Sequence, residues 1–476
     1  MFKRMGTHTI TIIGGGASGT LLAVQLARQA RAPLTVHLVE QHGPPGRGVA
    51  YGTLTPAHRL NVPANKMGAY PDQPGHFYEW LLQNGHTFAP DAFVPRQLYA
   101  EYLQAQLQAA IAAGKIEIEL IHDEAIDIEV EQVQAASQQD PSLQGVGLPA
   151  HEAIPNKTFV ILASGRRLAS DAVVLAFGNF LPPQPSFLSP QAAAAPKHFG
   201  NPWQPDLAAR IGPHDRVLVI GMGLTAVDTL LSLQAQPHNG PLYAISTHGW
   251  WPAAHELGHT YPDFSAELAD LTSLPAMLSV LRRHLRAAAI RGSNWRAVID
   301  SLRPSTQALW QQLPLAEKRR FMRHLRRLWD VSRHRMPQEC AAALEAMHAS
   351  GQLHSLQGRV TAIEVAGSEF SVSYRSRGQV HNLQVDAVIN CMGSESNYTR
   401  LPSRLVQNLL ARQLIQPDAL AQGLEAAPDG ALGPHLYTLG TALKGLLWES
   451  TAVPEIRAQA RQLAAKLLEP KEISVF

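Results

Sequence analysis

The run Thr9-Ile10-Thr11-Ile12-Ile13-Gly14-Gly15-Gly16-Ala17-Ser18-Gly19 decides how the rest of this chain is read. Its β-branched residues predict a buried strand, and the glycines predict a tight turn. From Ala17 to Arg31, apolar side chains at Leu22, Val24 and Leu26 recur at helical spacing, and Leu34 to Glu40 reads as a second strand. In such a βαβ unit each glycine has its own task. Gly14 permits the turn, Gly16 lets backbone approach a pyrophosphate, and Gly19 lets helix and strand pack closely. The helix start beginning at Ala17 and Ser18, with Gly15 before it, offers amide donors and a positive dipole end to phosphate. Glu40, 21 residues beyond Gly19 and followed by Gln41, stands where a carboxylate accepts hydrogen bonds from ribose hydroxyls.

The pattern returns 207 positions later: Arg216 to Ile220 predicts a strand, Gly221-Met222-Gly223 a turn, Leu224 to Leu233 a helix and Leu242 to Ser246 another strand. This duplication strengthens each half. The second loop, Gly221-x-Gly223-Leu224-Thr225-Ala226, has alanine in its third place. Ser246-Thr247-His248-Gly249 follows its second strand, with neither the acid that favours NAD nor the arginine that pairs with a 2′-phosphate. Thr247 has a hydroxyl to offer either form and His248 an imidazole for a phosphate. The choice between NADH and NADPH therefore stays open, with basic residues elsewhere leaning towards NADPH.

Other strands end on glycine in both halves: Asp171 to Gly178, Asp386 to Gly393, and Leu436 to Gly440 before Thr441. Gly178, Gly393, Gly440 and Thr441 join the candidate cofactor-binding residues. Ile116 to Val130 alternates in strand fashion, and Gln132 to Asn156 reads as a polar hairpin tip. The stretch from about 265 to 350 is helical in pattern without a counterpart in the first half, and a long helix closes the chain at about Val453 to Leu468. The expected fold class is α/β, with two Rossmann-like dinucleotide-binding domains, the second inserted in the first. The expected partition assigns residues 1–205 and 386–476 to an FAD domain. Residues 206–385 form an NAD(P) domain carrying the helical insertion.

Composition bounds the function. The 476 residues exceed one core, 45% are hydrophobic and 16% charged, and the formal charge of +2 gives no general attraction to nucleic acid or anionic membrane. Cys340 and Cys391 form no CxxC pair, so dithiol redox chemistry has no residues to run on. The apolar run Ile10 to Ile13 is too short for a signal-peptide core, and no stretch reaches membrane-spanning length. A soluble, cytoplasmic protein is expected, with no metal site.

Several further motifs carry a resemblance. They are Gly46-Arg47-Gly48-Val49-Ala50-Tyr51-Gly52, His58-Arg59-Leu60-Asn61-Val62-Pro63-Ala64, Phe93-Val94-Pro95-Arg96-Gln97-Leu98-Tyr99 and Gly445-Leu446-Leu447-Trp448-Glu449-Ser450. With these the chain resembles the bacterial FAD/NAD(P)-binding oxidoreductases related to flavin N-hydroxylating and Baeyer–Villiger monooxygenases. The resemblance implies FAD at the first loop and NADPH or NADH at the second. It also implies oxygenation of a small-molecule substrate through a C4a-(hydro)peroxyflavin. Two departures stand out: Ser246-Thr247-His248-Gly249 replaces a Ser-Arg-Arg-Gly run, and Thr441 stands where many relatives place a ribityl-binding aspartate.

Arg47, Asn61 and Arg96 are candidates to touch FAD phosphate or the isoalloxazine edge. Ser450 or Thr451 is expected to cap the last helix, whose N-terminus would face the flavin pyrimidine with Trp448 and Glu449 just before it. Asn61, His58 and Trp448 are the catalytic candidates; His255 and His259 are further imidazoles to place. From Val280 to Arg335 fourteen Lys or Arg face three Asp or Glu, which reads first as a solvated face, so nucleic acid is not an expected partner. Two other functions compete: a flavin dehydrogenase or reductase that does not insert oxygen, and a non-catalytic flavin- or nucleotide-binding interaction protein.

Overall fold

A computed structural model describes residues 8–131 and 157–469; the expected hairpin tip at 132–156 lies outside them. Two parallel sheets organise the chain. The first has six strands in the order Ala431–Gly433, Leu436–Thr438, Ala172–Leu175, His8–Ile13, Leu34–Glu40, Glu117–His122. All its pairings are parallel except at the Ala431–Gly433 edge. The second runs Leu353–Gln357, Leu242–Ser246, Val217–Ile220, Ala387–Asn390, His198–Phe199, parallel throughout. The central strands Ala172–Leu175, Val217–Ile220 and Ala387–Asn390 are buried at every residue, as strands covered on both faces must be. Each domain also carries a three-stranded antiparallel sheet, one within 125–170 and one within 359–385.

Helix Ala17–Gln29 packs against the closing helix Val453–Leu467, and together they cover the first sheet. The first sheet is thus completed only by residues from the end of the chain, which makes the second domain an insertion within the first.

The structure moves three expected boundaries. Strand Ala387–Asn390 pairs with Val217–Ile220, so the segment at 386 belongs to the second sheet and not to the FAD domain. His198–Phe199, drawn on the first side of a boundary at 206, pairs with the same strand. The first core resumes at Tyr398, which packs with Leu401, Leu405 and Val406 against the first sheet. Helix Gln338–Ala349 is not part of the insertion either: Cys340, Leu344 and Met347 pack into the second core. Two parallel strands need a crossover helix, and this one joins Leu242–Ser246 to Leu353–Gln357. The expected alternating stretch 116–130 divides between sheets, Glu117–His122 in the first and Ala125–Glu131 in an antiparallel one.

Candidate functional site

Both glycine loops sit at the carboxyl ends of their sheets, beside the point where strand order reverses, and the two are built alike. Gly14 has φ +107°, and a Cβ there would be driven into the Ala176 carbonyl, 2.9 Å from its carbon. Gly221 has φ +109°, and a Cβ there would meet the Cys391 carbonyl, 2.8 Å from its carbon. In each case the first glycine lies against the neighbouring strand across the switch point, where open α/β sheets bind their ligands. Neither helix start has a side-chain cap on its N-cap, Gly16 or Gly223. The first amides of both helices remain available to an anion.

At the first loop Glu40 is shared between backbone donors: Oε2 accepts from the Gly15 amide at 2.8 Å and Oε1 from the His42 amide at 2.8 Å. Gln41 follows it, exposed. The Gly46 amide donates to the Gly15 carbonyl at 2.8 Å. A Cβ on Gly16 would lie 3.6 Å from the Gly48 Cα. Between the left-handed Gly46 and Gly48, Arg47 keeps its Nε buried and without a partner. On the far side, a Cβ on Gly440 would come 2.9 Å from the Ser18 hydroxyl oxygen, and the Thr441 hydroxyl donates to the Gly178 carbonyl. Uncapped amides, an orphaned guanidinium nitrogen and a cradle too tight for side chains fit a pyrophosphate with its ribose against Glu40.

A cavity of about 810 Å³ opens between the domains. Among the candidates, Asn61, Arg96, Gly178, Gly221, Gly223, Leu224, Thr225, Thr247, His248, Gly393 and Thr441 line it. Gly14 to Gly19, Glu40, Gln41, Arg47, Ala226 and Gly440 stand off its wall and shape the loops behind it. The second loop is braced from the helical insertion: Arg327 Nη2 donates to the Met222 carbonyl at 2.9 Å and to the Trp250 carbonyl at 2.6 Å. His248 stacks on Trp250 with centroids 4.8 Å apart. Arg359 follows Gly358, whose amide donates to the Ser246 carbonyl at 2.9 Å, and it lines the cavity, as do Arg326, Thr247 and His248.

Two catalytic candidates are elsewhere. His58 is buried, its Nδ1 2.6 Å from the Thr53 hydroxyl and its Nε2 2.9 Å from the Asp228 carbonyl and 2.7 Å from the Ser232 hydroxyl. It fastens the first domain to helix Leu224–Gln234, and burial holds its pKa below the ordinary value. Trp448 stacks on Trp310 at 4.9 Å and meets Phe321 edge-on at 5.1 Å, inside the core of the insertion. It is a packing aromatic. Arg96 reaches the cavity, but its Nη2 pairs with buried Asp228 at 2.9 Å and its Nε donates to the Arg59 carbonyl. His255 stacks on Phe93 and donates from Nε2 to the Asn61 carbonyl at 3.0 Å; burial, then Arg335, pushes its pKa down to about 4. His259 pairs with Glu256 at the surface. The last helix takes Ala452 as its N-cap, without a side-chain cap; Ser450 is buried with its hydroxyl unpartnered, and Thr451 lines the cavity.

Sequence reasoning missed Arg326, Arg327, Asp330, His334, Arg359 and Lys444, all lining the cavity. For Arg326 and Arg327 the signal was the basic excess before Arg335, whose solvated-face reading holds for Arg283 and Arg320 but not for Arg327, while Arg359 and Lys444 lie outside that stretch.

This geometry is that of a two-dinucleotide fold, and residues 11–144 match the family described as FAD-NAD(P)-binding. The chain is similar, at 25% identity over 267 residues, to an L-aspartate N-monooxygenase (nitrosuccinate-forming) of Streptomyces davaonensis. The match covers 48% of this chain and 38% of that protein. Its fold is that of the ornithine N-hydroxylase of Kutzneria sp. 744, with TM-score 0.61, 17% identity, and coverage of 97% of this chain and 99% of that one. The L-lysine 6-monooxygenase of Pseudomonas syringae gives TM-score 0.61 at 16% identity, covering 96% of this chain and 98% of that one. No helix among the described residues is long and apolar enough to cross a membrane.

Proposed function

We propose that this protein is an FAD-dependent monooxygenase, reduced by NADPH or NADH, that oxygenates a small amine-bearing molecule. The observation that carries the reading is the pair of equivalent uncapped helix starts, at Gly16 and Gly223, the second on the wall of the interdomain cavity and the first in the loop behind it. The N-monooxygenase similarity supports it.

Bound flavin would supply hydride acceptance and oxygen activation; the chain supplies position and environment. Gly15 to Ser18, Arg47 and Glu40 would hold FAD by its pyrophosphate and ribose. The amides opening helix Leu224–Gln234 would hold the nicotinamide dinucleotide, with Arg327 fixing the Met222 turn beneath it. Arg359, adjoining Gly358 whose amide bonds to the Ser246 carbonyl just before Thr247, favours the 2′-phosphate of NADPH over NADH. The insertion contributes Arg326, Arg327, Asp330 and His334 to the chamber's lining. Helix Val453–Leu467 opens two residues after Thr451 without a side-chain cap, but its first turn holds Pro454, which has no amide hydrogen, and the Glu455 carboxylate, so its dipole adds little positive charge at that wall.

The test is a visible spectrum of the purified protein before and after NADPH or NADH without oxygen, followed by turnover of amine substrates under ¹⁸O₂. Flavin bands bleached by NADPH, and labelled oxygen in the product, are expected. A colourless protein that takes up no supplied FAD would refute the reading. Reduction without any labelled product would leave a dehydrogenase in its place.

A further inference from the structure

Lys444 follows Thr441 by three residues, on the wall that the first sheet contributes to the cavity. Its ammonium lies 5.4 Å from the centre of the Trp448 ring. Among the described residues no hydrogen bond or ion pair engages it. The nearby acids are committed elsewhere. Glu449 accepts from Trp329 Nε1 at 3.0 Å and faces Arg333 at 3.8 Å. Asp330 stands 3.7 Å from both Arg326 and His334. Burial depresses the Lys444 pKa, Arg326 adding to the effect and Asp330 and Glu449 opposing it. A cation withdrawn from water without a counterion is costly, and an anion arriving in the chamber relieves that cost.

We propose that Lys444 binds a carboxylate of the substrate, so that the amine-bearing molecule oxygenated here is an organic acid and not a simple diamine. This rests on reading the cavity as the reaction chamber. The phosphates of the nicotinamide dinucleotide offer the same charge, but their amide donors belong to the second sheet's loop at Gly223 to Thr225, while Lys444 belongs to the segment after Gly440, which follows a strand of the first sheet. The Trp448 ring beneath the ammonium fixes its height in the chamber, as a cation held over an aromatic face is favourably placed.

The test is titration calorimetry of the protein as purified, using L-aspartate, succinate and 1,4-diaminobutane as probes and NADP⁺ as a control, in wild type, Lys444→Met and Lys444→Arg. Methionine keeps the stem over Trp448 and removes only the charge. Losing one charge-assisted hydrogen bond should weaken the carboxylate probes by roughly ten- to a hundredfold. Arginine should recover much of that loss, and NADP⁺ affinity should not move. Equal succinate binding in wild type and Lys444→Met would overturn the proposal. So would a parallel loss of NADP⁺ affinity, or a wild type that binds the diamine and neither acid. Flavin content, read from the same samples by absorbance, reports separately on the monooxygenase reading.

Discussion

Alanine at Gly223 should separate folding from cofactor binding at the second loop. Gly223 has φ −95° and ψ −171°, which any residue adopts, and a Cβ built there meets no atom within 4 Å. The substitution therefore introduces no strain. By stiffening the unfolded chain it should raise stability by about 0.4–1 kcal/mol. The new methyl would, however, stand on the cavity wall where a pyrophosphate approaches the helix amides. Displacing one charge-assisted amide–phosphate bond forfeits about 1.5–3 kcal/mol, a loss of roughly ten- to a hundred-and-fiftyfold in affinity. Gly221, two residues earlier, gives the opposite result. Its φ of +109° and the Cys391 carbonyl carbon 2.8 Å from the built Cβ mean that alanine there strains the fold itself. The assay is anaerobic stopped-flow reduction of the bound flavin against NADPH concentration, with thermal melting and the flavin-to-protein ratio alongside. Gly223→Ala should melt no lower than wild type, keep its flavin and show the raised dissociation constant, whereas Gly221→Ala should melt lower. An unchanged NADPH constant in Gly223→Ala, or loss of its FAD, would show that this loop does not hold the nicotinamide dinucleotide.

Arg96→Met should destabilise the protein by about 3–5 kcal/mol in urea, because it strands Asp228 at 5% side-chain exposure. The loss should be smaller at pH 5 than at pH 8, since burial already raises the Asp228 pKa; the double variant with Asp228→Asn should recover most of it, and an additive double variant would refute the pairing. His255 has a folded pKa of about 4 against 6.5, so the unfolded state binds the extra proton between those values and stability falls as pH drops through that window. At about 1.36 kcal/mol per pH unit this reaches roughly 3 kcal/mol, and His255→Phe should flatten the urea-midpoint profile there while leaving it parallel to wild type above pH 7. Trp448→Ala should cost about 3–5 kcal/mol of stability as a buried aromatic truncation while leaving the rate of flavin reduction within a few-fold of wild type; a collapse in that rate at unchanged stability would return Trp448 to the chemistry.

The glycine loops were legible in the sequence because their determinants are local. A βαβ unit is written in hydrophobic period, positive-φ glycines and an acid some twenty residues on, and the structure places Gly14, Gly221 and Glu40 where that pattern puts them. The closing helix was read nearly to its ends, Val453–Leu467, for the same reason. The α/β class followed from repetition of the unit, and the insertion of one domain in the other from a late strand and closing helix that resemble the parts completing an FAD domain.

Which strand joins which sheet was not local information. Asp386 to Gly393 looks alike whichever sheet it enters, and only its pairing with Val217–Ile220 assigns it to the second. Polar side chains are harder still, because their roles depend on what distant chain brings to them. His58 meets the Asp228 carbonyl across 170 positions, and Arg327 meets Met222 across 105. An imidazole or guanidinium alone carries no mark of whether such a partner will take up its hydrogen bonds. Sequence thus determined where backbone amides gather for phosphate, through short-range geometry. Tertiary structure decided which charged side chains are tied down and which, like Lys444, are left facing the cavity, because burial and long-range pairing settle that.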